Sequence, residues 1–323
     1  MFLQFELRPS LPYNGRVSDE SQRPIDAATR LSAVFGHPVR HSASPAMQNA
    51  GMAALQLNWR YLAFDVHPDH LRAAIEGARL MGFIGLNLTV PHKLLALEMV
   101  NVVDDPAKSW GAVNTIVFET RDARGQWAPV GGVPSEQIGE VRSRGCNTDA
   151  DAIVQSLKEE FSWQSLRGAS VLLLGAGGAA RTAALRLARE GIGKLFLVNR
   201  TAARAAELAD AVRKDCANVA VAEGYPAHSV DLLLNATSLG LKPEDPPPVD
   251  VLWLRNHPPR FVYDMIYRPM ETGLLREAKS AGCRAANGVG MLLHQGARSL
   301  ELWTGRAAPL PEMRRALEKN VYG

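Results

Sequence analysis

The run VLLLGAGGAAR, residues 171–181, decides how this chain folds. Its apolar stretch Val171–Leu174 predicts a short strand, the glycines a tight turn, and the alanine-rich continuation GAARTAALRLAREG, from Gly178, a helix. Working outward, KLFLVNR (194–200) is a second strand, TAARAAELADAVRK (201–214) a helix, and DLLLNATS (231–238) and FVYDMIY (261–267) two further strands. Strands alternating with helices at this spacing imply a parallel, doubly wound sheet of the Rossmann type. A proline-rich loop, KPEDPPPVD (242–250), separates the last two strands, and VGMLLHQGARSLELWTG (289–305) reads as an amphipathic helix.

Upstream, the same alternation appears a second time. LSAVFG (31–36), WRYLAFDV (59–66), FIGLNLTV (83–90) and AVNTIVFE (112–119) read as strands. PAMQNAGMAALQ (45–56), HPDHLRAAIEGARLMG (67–82) and PHKLLALEMV (91–100) read as helices. Ser44 is expected as the N-cap of the first of them, with Pro45 at the first helical position. This predicts a second α/β domain on a largely parallel sheet. Residues 120–146, with five glycines or prolines between 129 and 139, break the rhythm and predict an irregular insertion or a long hairpin. DADAIVQSLKEEF (149–161) then resumes as a helix, while residues 1–30 read as an extension with little regular structure.

Composition sets the frame for function. A chain of 323 residues, 46% hydrophobic and 21% charged, suits two globular domains. A net charge of +3 without a dense basic stripe gives no reason to expect nucleic acid or an anionic membrane as a partner. Cys146, Cys216 and Cys283 are odd in number and far apart, so neither a disulfide framework nor a metal site is expected. With no secretory signal and no apolar run near the ~20 residues that span a bilayer, the expectation is a cytoplasmic protein acting on a small molecule.

The glycine run carries a cofactor expectation. In Gly175-Ala176-Gly177-Gly178-Ala179-Ala180, Gly175 permits the turn, Gly177 lets backbone approach a pyrophosphate, and Ala180 allows close packing of helix on strand. The pyrophosphate would rest on the free amides of the helix start. NAD sites place Asp or Glu at the end of the second strand for the ribose hydroxyls. Here that strand ends in Asn199-Arg200-Thr201. Arg200 suits a 2′-phosphate, Arg204 lies one turn on, and the cofactor expected is NADP(H).

A second constellation precedes it. Ser42 and Ser44, two apart before a helix, offer hydroxyls and amides to a carboxylate, although Ser44 is equally explained as a cap. Asn87 and Thr89 alternate with apolar residues and share one face at a strand end, where ligands bind in such sheets. Lys93 falls in the first turn of the next helix, where a cation opposes the helix dipole, and competes with an ordinary surface lysine. Asp149 reads either as a helix N-cap or as the partner of a lysine in a proton relay.

In this order, VFGHPVRHSASP, NLTVPHK, GAVNT, NTD, GAGGAAR, NRT, NATSLG, YDMIY and NGVGMLLHQ resemble the shikimate dehydrogenase family, from about Leu31 to the C-terminal region. The resemblance implies a substrate-binding domain over 31–149, completed by 288–323, and an inserted NADP-binding Rossmann domain over 150–287. It implies NADP-dependent interconversion of 3-dehydroshikimate and shikimate in aromatic amino acid biosynthesis, with Lys93 and Asp149 as the catalytic pair. Ser42 and Ser44 would take the substrate carboxylate, and Asn87, Thr89, Asn114 and Gln295 the ring hydroxyls. Thr237 and Ser238 would lie near the cofactor, and Met265, Tyr267, Gly288 and Met291 near the nicotinamide or substrate. No metal is implied, and the expected state is a monomer or homodimer.

The chain departs from the family in its first 30 residues, in a longer stretch between GAVNT and NTD, in Ala150-Asp151 after Asp149, and in Cys146 before Asn147. The longer stretch leads directly into Asp149, so it could shift the mouth of the cleft. Two other functions fit the same residues: a quinate/shikimate dehydrogenase of broader substrate or cofactor use, and a non-catalytic sensor of shikimate-type ligands. A pure binder has no need of a Lys93–Asp149 relay.

Overall fold

The computed structural model describes residues 23–242 and 244–323. The extension expected over 1–30 therefore lies largely outside the described residues. Its last residues, 23–29, form no strand or helix before the first strand opens at Arg30.

The first sheet contains β1 (Arg30–Gly36), β2 (Trp59–Asp65), β3 (Gly85–Leu88), β4 (Val102–Val103), β5 (Thr115–Arg121), β6 (Trp127–Pro129) and β7 (Val141–Cys146). Its order is β2-β1-β3-β5-β7-β4, with β6 pairing β5. The helices on and around it are α1 (Ser44–Ala54), α2 (Leu71–Leu80), α3 (His92–Leu95) and α4 (Asp105–Trp110). After α5 (Asp149–Phe161) the chain builds the second sheet from β8 (Ser170–Leu174), β9 (Lys194–Val198), β10 (Ala220–Glu223), β11 (Leu232–Asn235), β12 (Phe261–Asp264) and β13 (Arg284–Ala286). Between these strands run α6 (Gly178–Arg189), α7 (Ala202–Asp215), α8 (Val251–Asn256) and α9 (Gly273–Ser280). Two last helices, α10 (Val289–Thr304) and α11 (Leu310–Tyr322), end the chain.

The second sheet runs β10-β9-β8-β11-β12-β13, and every neighbouring pair is parallel. This is the 3-2-1-4-5-6 order of the dinucleotide-binding fold, as the strand–helix alternation predicts. Its central strands are apolar throughout: Val171, Leu172, Leu173, Leu232, Leu233 and Leu234 are all fully buried. Helices on both faces of a parallel sheet exclude water from both sides of each strand.

The first sheet departs from expectation. It is mixed rather than largely parallel, because β5 runs antiparallel to both β3 and β7. The stretch 120–146 is the long hairpin rather than an irregular insertion, and it accounts for the antiparallel pairing of β5 with β6 and β7. β5 and β7 pair from Thr115–Cys146 to Thr120–Val141, with β6 folded onto the outer end of β5. A hairpin can only pair antiparallel. Glu119 is buried between Arg142 and Arg144, to whose guanidinium Nε atoms its carboxylate lies 2.9 and 2.6 Å away. The Trp127 ring takes the guanidinium groups of Arg121 and Arg142 at 4.3 and 4.2 Å.

The C-terminal helices return to the first sheet. Leu293, Leu300 and Trp303 of α10 and Met313 and Leu317 of α11 share one apolar core with Val34, Leu86 and Ile116. Trp303 also donates its indole N–H to the Ile116 carbonyl at 3.0 Å. Each such large side chain contributes about 1.5–3 kcal/mol on burial, so this pairing of distant sequence segments is a principal fastening of the fold.

Candidate active site

The carboxyl ends of β1 and β3, the starts of α5, α6 and α10, and the loop after β12 surround one cavity of about 230 Å³. Strand ends and helix starts meet there because each crossover in an α/β sheet brings the chain back at the same edge.

Lys93 reaches this cavity from α3. The Val113 amide donates to the Lys93 carbonyl at 2.9 Å, which ties that turn to the start of β5. Its Nζ lies 2.6 Å from Asp149 Oδ2, with the two side chains 31% and 11% exposed. Asp149 is not the N-cap of α5 but its first residue. Asn147 takes the capping work: its Oδ1 accepts from the amides of Asp149 and Ala150, both at 3.1 Å. The Asp149 carboxylate is thereby left for the lysine. A half-buried pair of this kind holds its geometry because separating it would strand a charge in partly desolvated surroundings.

Ser44 is likewise not an N-cap. Ala43 occupies that position, α1 begins at Ser44, and no side chain caps it. The Ser44 amide donates to Ser42 Oγ at 3.3 Å, and both serines line the cavity. An uncapped helix start with two hydroxyls in front of it can receive a carboxylate. Tyr267 also lines this wall. Burial pushes its phenol above the ordinary value, so it stays a neutral donor.

Asn87, Thr89 and Gln295 line the cavity too. Asn87 is buried and its amide is held from both sides, Nδ2 donating to Thr115 Oγ1 at 3.0 Å and Oδ1 accepting from Tyr61 at 2.8 Å. Gln295 donates Nε2 to the Leu292 carbonyl at 2.9 Å. Asn114 does not reach the cavity. It is buried behind it, its Nδ2 donating to Thr148 Oγ1 at 2.9 Å and its Oδ1 accepting the Thr148 amide at 2.7 Å. The GAVNT stretch leads into β5, and just before that strand the Asn114 side chain turns toward Thr148 at the start of α5.

The cofactor expectation divides in two. Ala179, Met265, Gly288 and Met291 line the cavity itself. Gly288 starts α10 against the Met265 backbone: a Cβ placed on it would stand 2.1 Å from the Met265 carbonyl oxygen. The rest lie outside, along the carboxyl edge of the second sheet. Gly175 has φ +107°, a left-handed conformation that suits glycine, and packs against the Ala236 carbonyl. Gly177 is the N-cap of α6, with no side-chain cap and nothing within 4 Å of where a Cβ would be. Ala176 and Gly178 flank it, and Ala180 is fully buried against β8 and its neighbours. Open space over uncapped helix amides is the shape a diphosphate requires.

Asn199 closes the end of β9 by donating to the Thr201 carbonyl at 2.9 Å. Arg200, Thr201 and Arg204 are exposed, and among the described residues neither arginine forms an ion pair. Thr237 spends its hydroxyl on Asn235 Oδ1 at 2.8 Å and so shapes its loop, while Ser238 is exposed. With no carboxylate at the end of β9, these residues fit the phosphate-bearing form of the dinucleotide.

Several lining residues were not anticipated. Ile153 follows Asp149 by one helical turn, Thr182 and Ala183 follow Ala179, and Leu292 precedes Gln295 by three. A step of three or four along each helix from the anticipated residue finds them. Val34, Val39, His41 and Leu88 complete the lining. None of residues 120–146 lines the cavity. The hairpin packs at the opposite end of the strands, where Gly131 abuts the Trp303 carbonyl and the Trp59 ring.

Among the described residues no His, Cys, Asp and Glu cluster is placed to hold a metal ion, and no helix is long and apolar enough to cross a membrane.

Comparison with known proteins agrees with this geometry. A family model described as the shikimate dehydrogenase substrate binding domain matches residues 34–116. One described as shikimate / quinate 5-dehydrogenase matches 156–240, and a shikimate 5'-dehydrogenase C-terminal domain model matches 288–318. A shikimate dehydrogenase (NADP(+)) of Methanopyrus kandleri is 40% identical over 305 residues, 92% of this chain and 98% of that protein. A crystal structure of a shikimate dehydrogenase in complex with NADP+ superposes with a TM-score of 0.79 at 32% identity, over 94% of this chain and 99% of the other. The Thermus thermophilus shikimate 5-dehydrogenase in complex with NADP(H) and shikimate superposes with a TM-score of 0.73 at 33% identity, over 90% of this chain and 99% of the other.

Proposed function

The chain belongs to the shikimate dehydrogenase family, and from that premise we propose that it reduces 3-dehydroshikimate reversibly to shikimate with NADPH. The observation that carries the reading is the Lys93–Asp149 pair, 2.6 Å apart in a cavity that the dinucleotide-binding turn borders through Ala179.

In this reading residues 31–149, completed by 288–323, bind the substrate, and 150–287 bind NADP. Ser42, Ser44 and Tyr267 receive the carboxylate, while Asn87, Thr89 and Gln295 face the ring hydroxyls, with Asn114 supporting them from behind through Thr148. NADPH, when bound, supplies the hydride. Arg200 and Arg204 would hold the ribose phosphate, the amides of Gly177 and Gly178 the pyrophosphate, and Met265, Gly288 and Met291 would lie near the nicotinamide.

Lys93 Nζ gives its proton to the ketone oxygen as that oxygen becomes a hydroxyl, and takes it back in the reverse direction. Asp149 orients the ammonium and balances its charge. The apolar wall of Ile153, Ala183 and Leu292 keeps water from the reacting carbon. The sensor reading is not favoured, since binding alone needs no such pair. The quinate reading is not favoured, since the sequence relatives at 36–42% identity are named shikimate dehydrogenase (NADP(+)). We place the protein in the cytoplasm, a reading that its three free cysteines support, and propose a monomer or homodimer.

The test is absorbance of the reduced nicotinamide when purified protein meets shikimate or quinate with NADP+ or NAD+. Turnover with shikimate and NADP+ alone is expected. Equal turnover with quinate or NAD+ would broaden the assignment, and silence in all four arms would sink it.

A further inference from the structure

Behind the cavity wall, four structural elements meet at one hydroxyl. Ser299 of α10 is fully buried, and its Oγ accepts from Asn87 Nδ2 at 2.9 Å. It lies 2.9 Å from Thr115 Oγ1 on β5 and 3.4 Å from Thr148 Oγ1 at the start of α5. It also donates to the Gln295 carbonyl at 2.9 Å, one turn back along α10. With the single Ser299 hydrogen on that carbonyl, Ser299 Oγ is an acceptor for the Asn87 amide, and the one Thr115 hydrogen is shared between Ser299 Oγ and Asn114 Oδ1, the latter at 3.3 Å.

This ordering constrains Asn87. Its Nδ2 has acceptors in Thr115 Oγ1, Ser299 Oγ and the Asn114 carbonyl, at 3.0, 2.9 and 3.3 Å. Two hydrogens facing three inward acceptors leave none for a ligand. Its Oδ1 accepts from the Tyr61 hydroxyl, which burial keeps protonated, and retains one lone pair. The Asn87 amide thus cannot flip and can only accept from what enters the cavity.

We propose that Ser299 is a positioning residue for substrate recognition: with Tyr61 on the other side, it locks the Asn87 amide so that Asn87 reads a ligand hydroxyl as a hydrogen-bond donor. The assignment rests on the function proposed above. It extends the substrate site to a residue on a helix 212 positions away from Asn87 in sequence, one that touches no substrate itself.

Ser299→Ala tests it. The change removes one oxygen, introduces no clash, and leaves Thr115 and Asn114 to hold Asn87 less firmly. The KM for shikimate should rise about 3–10-fold, the effect of one buried hydrogen bond. The kcat should stay within about 2-fold and the KM for NADP+ should not move, since the hydroxyl reaches neither Lys93 nor the dinucleotide edge. On an Asn87→Ala background, Ser299→Ala should change kcat/KM no further, because the two act through one amide. A full Ser299→Ala effect on that background, an equal rise in the KM for NADP+, or an unchanged KM for shikimate overturns the inference alone. Wild-type protein without turnover on shikimate overturns the proposed function and this inference with it.

Discussion

On the substrate side of the cavity, Asn87, Asn114, Thr115, Thr148 and Ser299 hold one another in a closed set of buried hydrogen bonds. On the cofactor side, Arg200, Arg204 and Ser238 stand exposed, the arginines without an ion pair among the described residues. The first wall is finished before any ligand arrives, and its side chains keep only the capacities the network leaves them. The second keeps its charges in water, where they cost little; in the proposed function a phosphate would replace that hydration. A preformed wall gives selectivity through groups that cannot adapt, whereas a hydrated one gives affinity through groups that act singly. Substitutions on the first side should therefore disturb neighbours as well as ligands, and those on the second should register almost wholly in cofactor binding.

The largest effect sharpens the first half of that contrast. Lys93→Ala should lower kcat by roughly 10²–10⁴-fold, the range for loss of a positioned general acid. Single-turnover absorbance measurements would show it, and a variant within a few-fold of wild type would remove Lys93 from proton transfer. Next, Arg200→Ala should raise the KM for NADP+ about 10–100-fold, as expected for charge-assisted bonds to a phosphate. The KM for NAD+ and the melting temperature should hardly change. If the variant melts markedly lower, the arginine is part of the fold and the contrast fails.

Two glycines give a smaller effect and a control. Gly177→Ala has open space for its Cβ and an ordinary negative φ of −83°, so stability should shift by no more than about 0.5 kcal/mol while NADP+ binding weakens. Gly288→Ala meets the Met265 carbonyl, and overpacking of this kind costs about 1–3 kcal/mol. Thermal melts of the pair, alone and with NADP+, separate the two kinds of glycine. The smallest effect concerns Cys146, two strand positions from Arg144. Burial pushes its thiol up to about 12, against the pull of Arg144, so at pH 8 it remains protonated and unreactive. Iodoacetamide at that pH should leave activity intact, and rapid inactivation traced to Cys146 by mass spectrometry would contradict its burial.

Much of the second domain was legible because its signals are local. Val171–Leu174 is apolar, the turn is glycine, and Asn199-Arg200-Thr201 follows at the spacing the fold demands. The strand β13 was not visible, because Arg284–Ala286 sits at the sheet edge, half exposed, with no apolar run to mark it. The amphipathic helix α11 escaped for a related reason: it buries only Met313 and Leu317 of its 13 residues. In the site, residue types at strand ends pointed to Asn87, Thr89 and Lys93. The cap expected at Ser44 and the capping alternative for Asp149 failed because each helix begins one residue earlier, a choice that propensity cannot make. Ser299 could not be found at all, since a serine inside a helix carries no mark of what lies opposite.

The chain crosses between its two sheets twice, outward through α5 and back through α10, and these two helices pack side by side. A body joined at a single point can tumble; one joined along two neighbouring helices has one easy motion, a swing about the line they share. That axis passes beside Asp149 at the head of α5 and Gly288 at the head of α10. The Lys93–Asp149 pair thus stands beside the helices that join the two sheets, while Arg200 stands away from them, just past the end of β9.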